Sequence, residues 1–133
     1  MKKLSLLFIS LLMGLSACEA QEEQQKPTQD NAIAFGMSMG IGWNLGNQLD
    51  AHINGVSGET FWGNQEATQQ TFNNVKKAGF RSVRIPVTWM GHVGPAPTYT
   101  IERAWLDRVE ELVLMAKQAG LITIINIHHD GFG

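Results

Sequence analysis

The sequence predicts an α/β protein on the (β/α)8 TIM-barrel plan, with the first three βα units present in this chain. Three observations carry that prediction. The stretches "VKKAGFRSVRIPV" (75–87) and "AKQAGLITIINIH" (116–128) share one layout of helix tail, Ala-Gly and apolar strand, and aligning Lys76 with Lys117 gives an offset of 41 residues. Repetition of helix, glycine and strand at such a period indicates successive βα units. The runs "SVRIPV" and "ITIINI" are nearly continuously apolar, as parallel strands buried on both faces are. Finally, the glycines of "GMSMGIGWNLGN" lack both the G-x-G-x-x-G spacing and an opening helix, which favours a barrel over a doubly wound nucleotide-binding sheet.

The elements follow in chain order. Lys2 and Lys3 precede an apolar run from Leu4 to Leu15, and Ser16 and Ala17 lead to Cys18, so residues 1–17 read as a secretory signal peptide. "LSAC" also resembles the box at which bacterial lipoproteins are cut and acylated, making Cys18 the expected lipidation site and the cell envelope the expected location, at the outer membrane or cell surface. Cys18 is the only cysteine, so no intrachain disulfide is expected. Residues 18–32 hold "EAQEEQQKPTQDN", which is polar and without period, and read as a flexible tether.

The remaining residues, 33–133, form the barrel segment. A first strand is expected near 41–46 ("IGWNLG"), with a helix from about Thr68 to Ala78 that carries Phe72 and Val75 on one stripe and closes at Gly79. The strand "SVRIPV" comes next. A second helix places Leu106, Val109, Leu112, Val113 and Ala116 on its apolar face and Asp107, Arg108, Glu110, Glu111 and Lys117 on the other. Gly120 closes it, and "ITIINI" is the last strand. Once Lys2 and Lys3 are removed with the signal, 8 basic residues face 12 acidic ones, a net charge of −4 that offers nothing to nucleic acid.

In α/β barrels the chemistry sits where strands end and βα loops begin. Here those points read "NLGNQLDA", "RIPVTW" and "NIHHD". Arg84 lies within an apolar strand, where a permanent charge needs partners; it is either a structural salt bridge or a fork that orients a catalytic carboxylate. His128 and His129 fit a hydrogen-bonding pocket, a satisfied core or a metal site. Neighbours on an extended chain point to opposite sides, so one ion is not expected to take both. Trp43, Trp62 and Trp89 stand at or beyond strand ends, where aromatic faces suit sugar rings but also pack under loops. Trp105 reads as helix core.

Four ordered stretches, "GWNLGNQLDA", "FWGN", "KKAGFRSVRIPVTW" and "AKQAGLITIINIHHDG", resemble the amino-terminal third of glycoside hydrolase family 5, in its branch of endoglucanases and xyloglucan-cleaving enzymes. The resemblance implies a (β/α)8 barrel and a retaining endo-β-1,4-glucanase acting on cellulose, mixed-linkage glucan or xyloglucan without a cofactor. It implies that Arg84 supports the nucleophile, that His128 is the pocket histidine, and that Asn47, His129 and Trp62 line sugar subsites; Trp89 joins them as an aromatic at a strand end. In the family the acid/base and nucleophile are glutamates after the fourth and seventh strands, beyond this chain, and Glu59, Glu66, Glu102, Glu110 and Glu111 match neither. A whole barrel takes roughly 250 residues. The 133-residue segment alone is therefore expected to be inactive, and the complete barrel a monomer touching membrane only through its lipid anchor. Two other classes stay open: a glycan-binding lipoprotein without catalysis, and a metal-dependent barrel hydrolase using His128 and His129.

Overall fold

The computed structural model describes residues 28–130; the signal segment, Cys18 and residues 19–27 of the tether lie outside the described residues. Helix α1 (Gln29–Ser38) begins inside the segment expected to be tether. Thr28 explains the early start. Its Oγ1 accepts the Asn31 N–H at 3.3 Å, and Asp30 lies in the first turn, where the helix dipole favours an acid.

Strand β1 (Gly42–Asn44) is followed by a short antiparallel hairpin, β2 (His52–Ile53) and β3 (Val56–Ser57), that the strand reading did not include. The turn between them is Asn54-Gly55, with φ of 52° and 79°. This pair supplies the two left-handed residues that a tight hairpin turn requires. Helix α2 (Gln69–Lys77), strand β4 (Ser82–Val87), helix α3 (Arg103–Gln118) and strand β5 (Ile122–Ile127) complete the order.

β1, β4 and β5 form one parallel sheet in the order β1-β4-β5, with Gly42 opposite Ser82 and Ser82 opposite Ile122. The expected duplication is visible in detail. Gly79 and Gly120 end α2 and α3 with φ of 98° and 76°, and the Lys76 ammonium donates to the Gly120 carbonyl at 2.6 Å, tying one cap to the other.

Alternation along β4 sorts its side chains. Val83, Ile85 and Val87 are fully buried with Phe72 of α2 and Val109, Leu112 and Ala116 of α3. Burying each of the larger side chains contributes about 1.5–3 kcal/mol before entropy is counted. Trp105 belongs to this core, as expected. Burial on both faces holds for β4 but not for β5, where Ile125 and Ile127 are 52% and 72% exposed. β5 is one of the two edge strands of the described sheet, and no described element covers those residues.

Arg108 departs from its expected place on the solvent face. Its Nε and one terminal nitrogen grip both carboxylate oxygens of Glu59 at 2.7 and 2.9 Å, and the same nitrogen reaches the Ala67 carbonyl at 2.7 Å. The Glu59 side chain is only 8% exposed, and the Ala67 N–H also binds it at 2.8 Å. The hydrogen bonds it donates to Glu59 hold the Arg108 guanidinium above its ordinary range, against the opposing pull of burial. The loop bearing Trp62 is thereby fastened to α3, with both Glu59 oxygens occupied.

Candidate active site

β1, β4 and β5 run parallel, so their carboxyl ends lie at one end of the sheet. Register places Asn44 beside Arg84. The Arg84 guanidinium donates to Asn44 Oδ1 at 2.7 Å and meets His128 Nδ1 at 3.2 Å. A guanidinium has no acceptor, so His128 Nδ1 must accept. That assigns the ring hydrogen of neutral His128 to Nε2 and makes Nε2–H a donor. No carboxylate of the described residues lies within salt-bridge distance of Arg84; its contacts are an amide and an imidazole.

His128 and His129 do not point to opposite sides. Their ring centroids are 4.3 Å apart. The alternation rule fails because the ladder stops: His128 N–H still donates to the Val87 carbonyl at 3.0 Å, but His129 N–H goes to Thr88 Oγ1 at 3.2 Å. His129 also packs edge-on against His52 of the hairpin at 5.1 Å and near Trp62 at 5.9 Å. Trp62 is 43% exposed, and its indole N–H is fixed by the His52 carbonyl at 3.0 Å. Arg84, His128, His129 and Trp62 thus form one continuous group.

The other two expected residues stand apart from it. Asn47 is exposed at φ 60°, a conformation asparagine tolerates, with its carbonyl held by the Asn64 amide at 3.0 Å. Trp89 packs against the core and borders a cleft of about 700 Å³ with Tyr99, Val93 and Ile127.

Sequence reasoning missed Asn44, Asp50, His52 and Thr88. The signal for His52 was present in the Asn-Gly pair that follows it, which marks a hairpin bringing its first strand back beside the strand ends. Asp50 is buried, and one of its carboxylate oxygens comes within 4.8 Å of ring nitrogens from both His128 and His129. This trio fits a metal ion poorly. The Nδ1 lone pair of His128 is taken by a cation, Asp50 Oδ1 already accepts the Gln48 N–H at 2.8 Å, and an ion there would sit beside Arg84. Hydrogen bonding to a neutral polyol suits these groups better.

Parallel βα units bring a guanidinium, paired imidazoles and an indole to one end of the sheet, the end at which an α/β barrel builds its site. The family model for Cellulase (glycosyl hydrolase family 5) matches residues 46–132. Endoglucanase A of Paenibacillus barcinonensis is 41% identical over 135 residues, covering 98% of this chain and 34% of that protein. A Bacteroidetes-affiliated GH5 cellulase linked with a polysaccharide utilization locus superposes with a TM-score of 0.77 at 76% identity, covering 79% of this chain and 27% of that one. The family 5 xyloglucanase of Paenibacillus pabuli superposes at 0.70 with 52% identity, covering 72% of this chain and 27% of the other. The chain belongs to glycosyl hydrolase family 5. It spans about a third or less of the length of these relatives, and the barrel expected from its sequence is the fold to which it belongs.

Proposed function

We propose that this chain supplies the amino-terminal wall of the active site in a retaining endo-β-1,4-glucanase acting on cellulose, mixed-linkage glucan or xyloglucan. The observation that carries the reading is the Arg84 fork, held by the neutral groups Asn44 and His128 at the strand ends. A cation whose partners are neutral lowers the pKa of a carboxylate brought beside it and fixes its plane. Retaining hydrolysis needs such a carboxylate as nucleophile, about 5–5.5 Å from a second that serves as acid and base. In this scheme Arg84 keeps the nucleophile ionised, His128 Nε2–H donates to the sugar at the cleavage point, and His129 with Trp62 forms an aromatic wall for the ring. Asn47 and Trp89 contact more distant sugars. Cys18, acylated, anchors the protein to the cell envelope.

The test uses the complete catalytic domain. Proton NMR of the first sugar released from a β-1,4-glucan should show retained anomeric configuration; inversion removes the reading. Arg84→Ala should lower kcat by about 10²-fold with a smaller change in KM, because the lost contact acts on a group positioned for the transition state. Near-normal kcat would return Arg84 to a structural role. A domain that holds cello-oligosaccharides without cleaving them would instead favour a glycan-binding protein.

A further inference from the structure

The main-chain ladder between β4 and β5 is in register from Ser82↔Ile122 to Val87↔Ile127, and its last main-chain bond runs from His128 N–H to the Val87 carbonyl. Beyond it, two N–H groups find side chains instead. His129 N–H donates to Thr88 Oγ1 at 3.2 Å, and Trp89 N–H donates to the Asp130 carboxylate at 2.8 and 3.0 Å. The exchange is reciprocal: the strand end after β4 lends a hydroxyl to the main chain after β5, and the latter returns a carboxylate.

We propose that Thr88 and Asp130 are positioning residues whose reciprocal clamp sets the directions of His128, His129 and Trp89. Thr88 is fully buried, and its hydroxyl is used on both sides, accepting from His129 while donating to the Asp50 carbonyl at 3.4 Å. Its carbonyl accepts Ser57 Oγ–H at 2.6 Å, which brings the hairpin that carries His52 under the same control. Were the ladder to continue, consecutive side chains would face opposite ways. Here the Trp89 N–H goes to Asp130 and the His129 N–H to Thr88 beyond the last rung, and the two imidazoles lie together at 4.3 Å. The part this plays in glucan cleavage rests on the function proposed above.

The experiment compares Thr88→Val with Thr88→Ser and Asp130→Ala with Asp130→Asn in the complete catalytic domain. Serine keeps the hydroxyl and asparagine keeps an acceptor oxygen, so each is the rescue of its partner. Two readouts are taken: kcat and KM on a soluble β-1,4-gluco-oligosaccharide, and amide hydrogen exchange at His129 and Trp89 by NMR. Losing one hydrogen bond should speed exchange about tenfold or more at His129 in Thr88→Val and at Trp89 in Asp130→Ala. The same variants should lose about tenfold or more in kcat, with Ser and Asn restoring most of it. Equal losses in both members of each pair, or faster exchange with unchanged kcat, would overturn the positioning role. Should Thr88→Val fail to fold, the Asp130 pair, which is less buried, decides. If the wild-type domain cleaves no glucan, the proposed function fails; the clamp is then judged by exchange alone, and fast exchange of both amides in the wild type overturns it.

Discussion

Replacing Arg108 with methionine should be among the costliest single changes in this segment. The substitution keeps much of the apolar stem but strips the Glu59 carboxylate, only 8% exposed, of both its nitrogens, and leaves the Ala67 carbonyl without that donor. Breaking one side of a buried pair costs about 3–5 kcal/mol, because the surviving charge stays uncompensated. In a domain of barrel size this lowers the melting temperature by roughly 6–20 °C. The assay is thermal denaturation of the complete catalytic domain followed by circular dichroism. Glu111→Gln is the internal control: it touches the same guanidinium but is 54% exposed, so its loss is about 0–1 kcal/mol. The double variant Glu59→Gln/Arg108→Met, which carries neither charge, should recover at least half of the single variant's loss. In the wild type the guanidinium is held above its ordinary range. Its contribution is therefore fully present below that range and lost only as pH rises through the folded value, so a mildly alkaline scan leaves the pair intact. A single variant that melts no lower than Glu111→Gln, or a double variant no better than the single, would refute the reasoning.

Trp62→Ala should raise KM for longer oligosaccharides by about tenfold while kcat holds, measured by initial rates against chain length, since it removes a stacking face and not a group at the reacting bond. Cys18→Ala should shift the exported protein from the membrane fraction to the soluble one, and mass spectrometry should find acyl chains on Cys18 of the wild type; an unmodified cysteine refutes the anchor.

The parts of the fold that were legible in the sequence are those set by periodic burial and by caps. β4 and β5 occupy the residues read for them, and α2 lies between Thr68 and Ala78 as read, because apolar spacing and a left-handed glycine are written locally. The hairpin escaped that reading because each of its strands has two residues, too few to show alternation, although Asn54-Gly55 announced it. The inward turn of Arg108 depends on a glutamate 49 positions earlier, which helical spacing cannot reveal. That Arg84 and His128 lie together at one end of the sheet was legible from their places near the strand ends. The shared direction of His128 and His129 was not, since the alternation rule assumes a main-chain ladder and here the ladder gives way to Thr88 and Asp130.

The two strategic arginines show why position alone does not assign a role. Arg108 spends its charge within the segment, on Glu59 and Glu111, and so it fastens a loop to a helix. Arg84 meets only neutral acceptors among the described residues, Asn44 Oδ1 and His128 Nδ1, which orient the fork without cancelling its charge. A guanidinium carries five N–H groups, and those two contacts leave donors free in the same plane. An anionic oxygen arriving from another strand of the barrel would therefore meet a cation already turned toward its partners, with little further ordering required. The same contact fixes the tautomer of His128, so under the proposed function one side chain would prepare both the charge beside the nucleophile and the donor to a sugar hydroxyl. Lysine at this position would keep the charge but not the rigid planar fork, so its rotatable ammonium would not fix both neighbours and an incoming carboxylate in one plane.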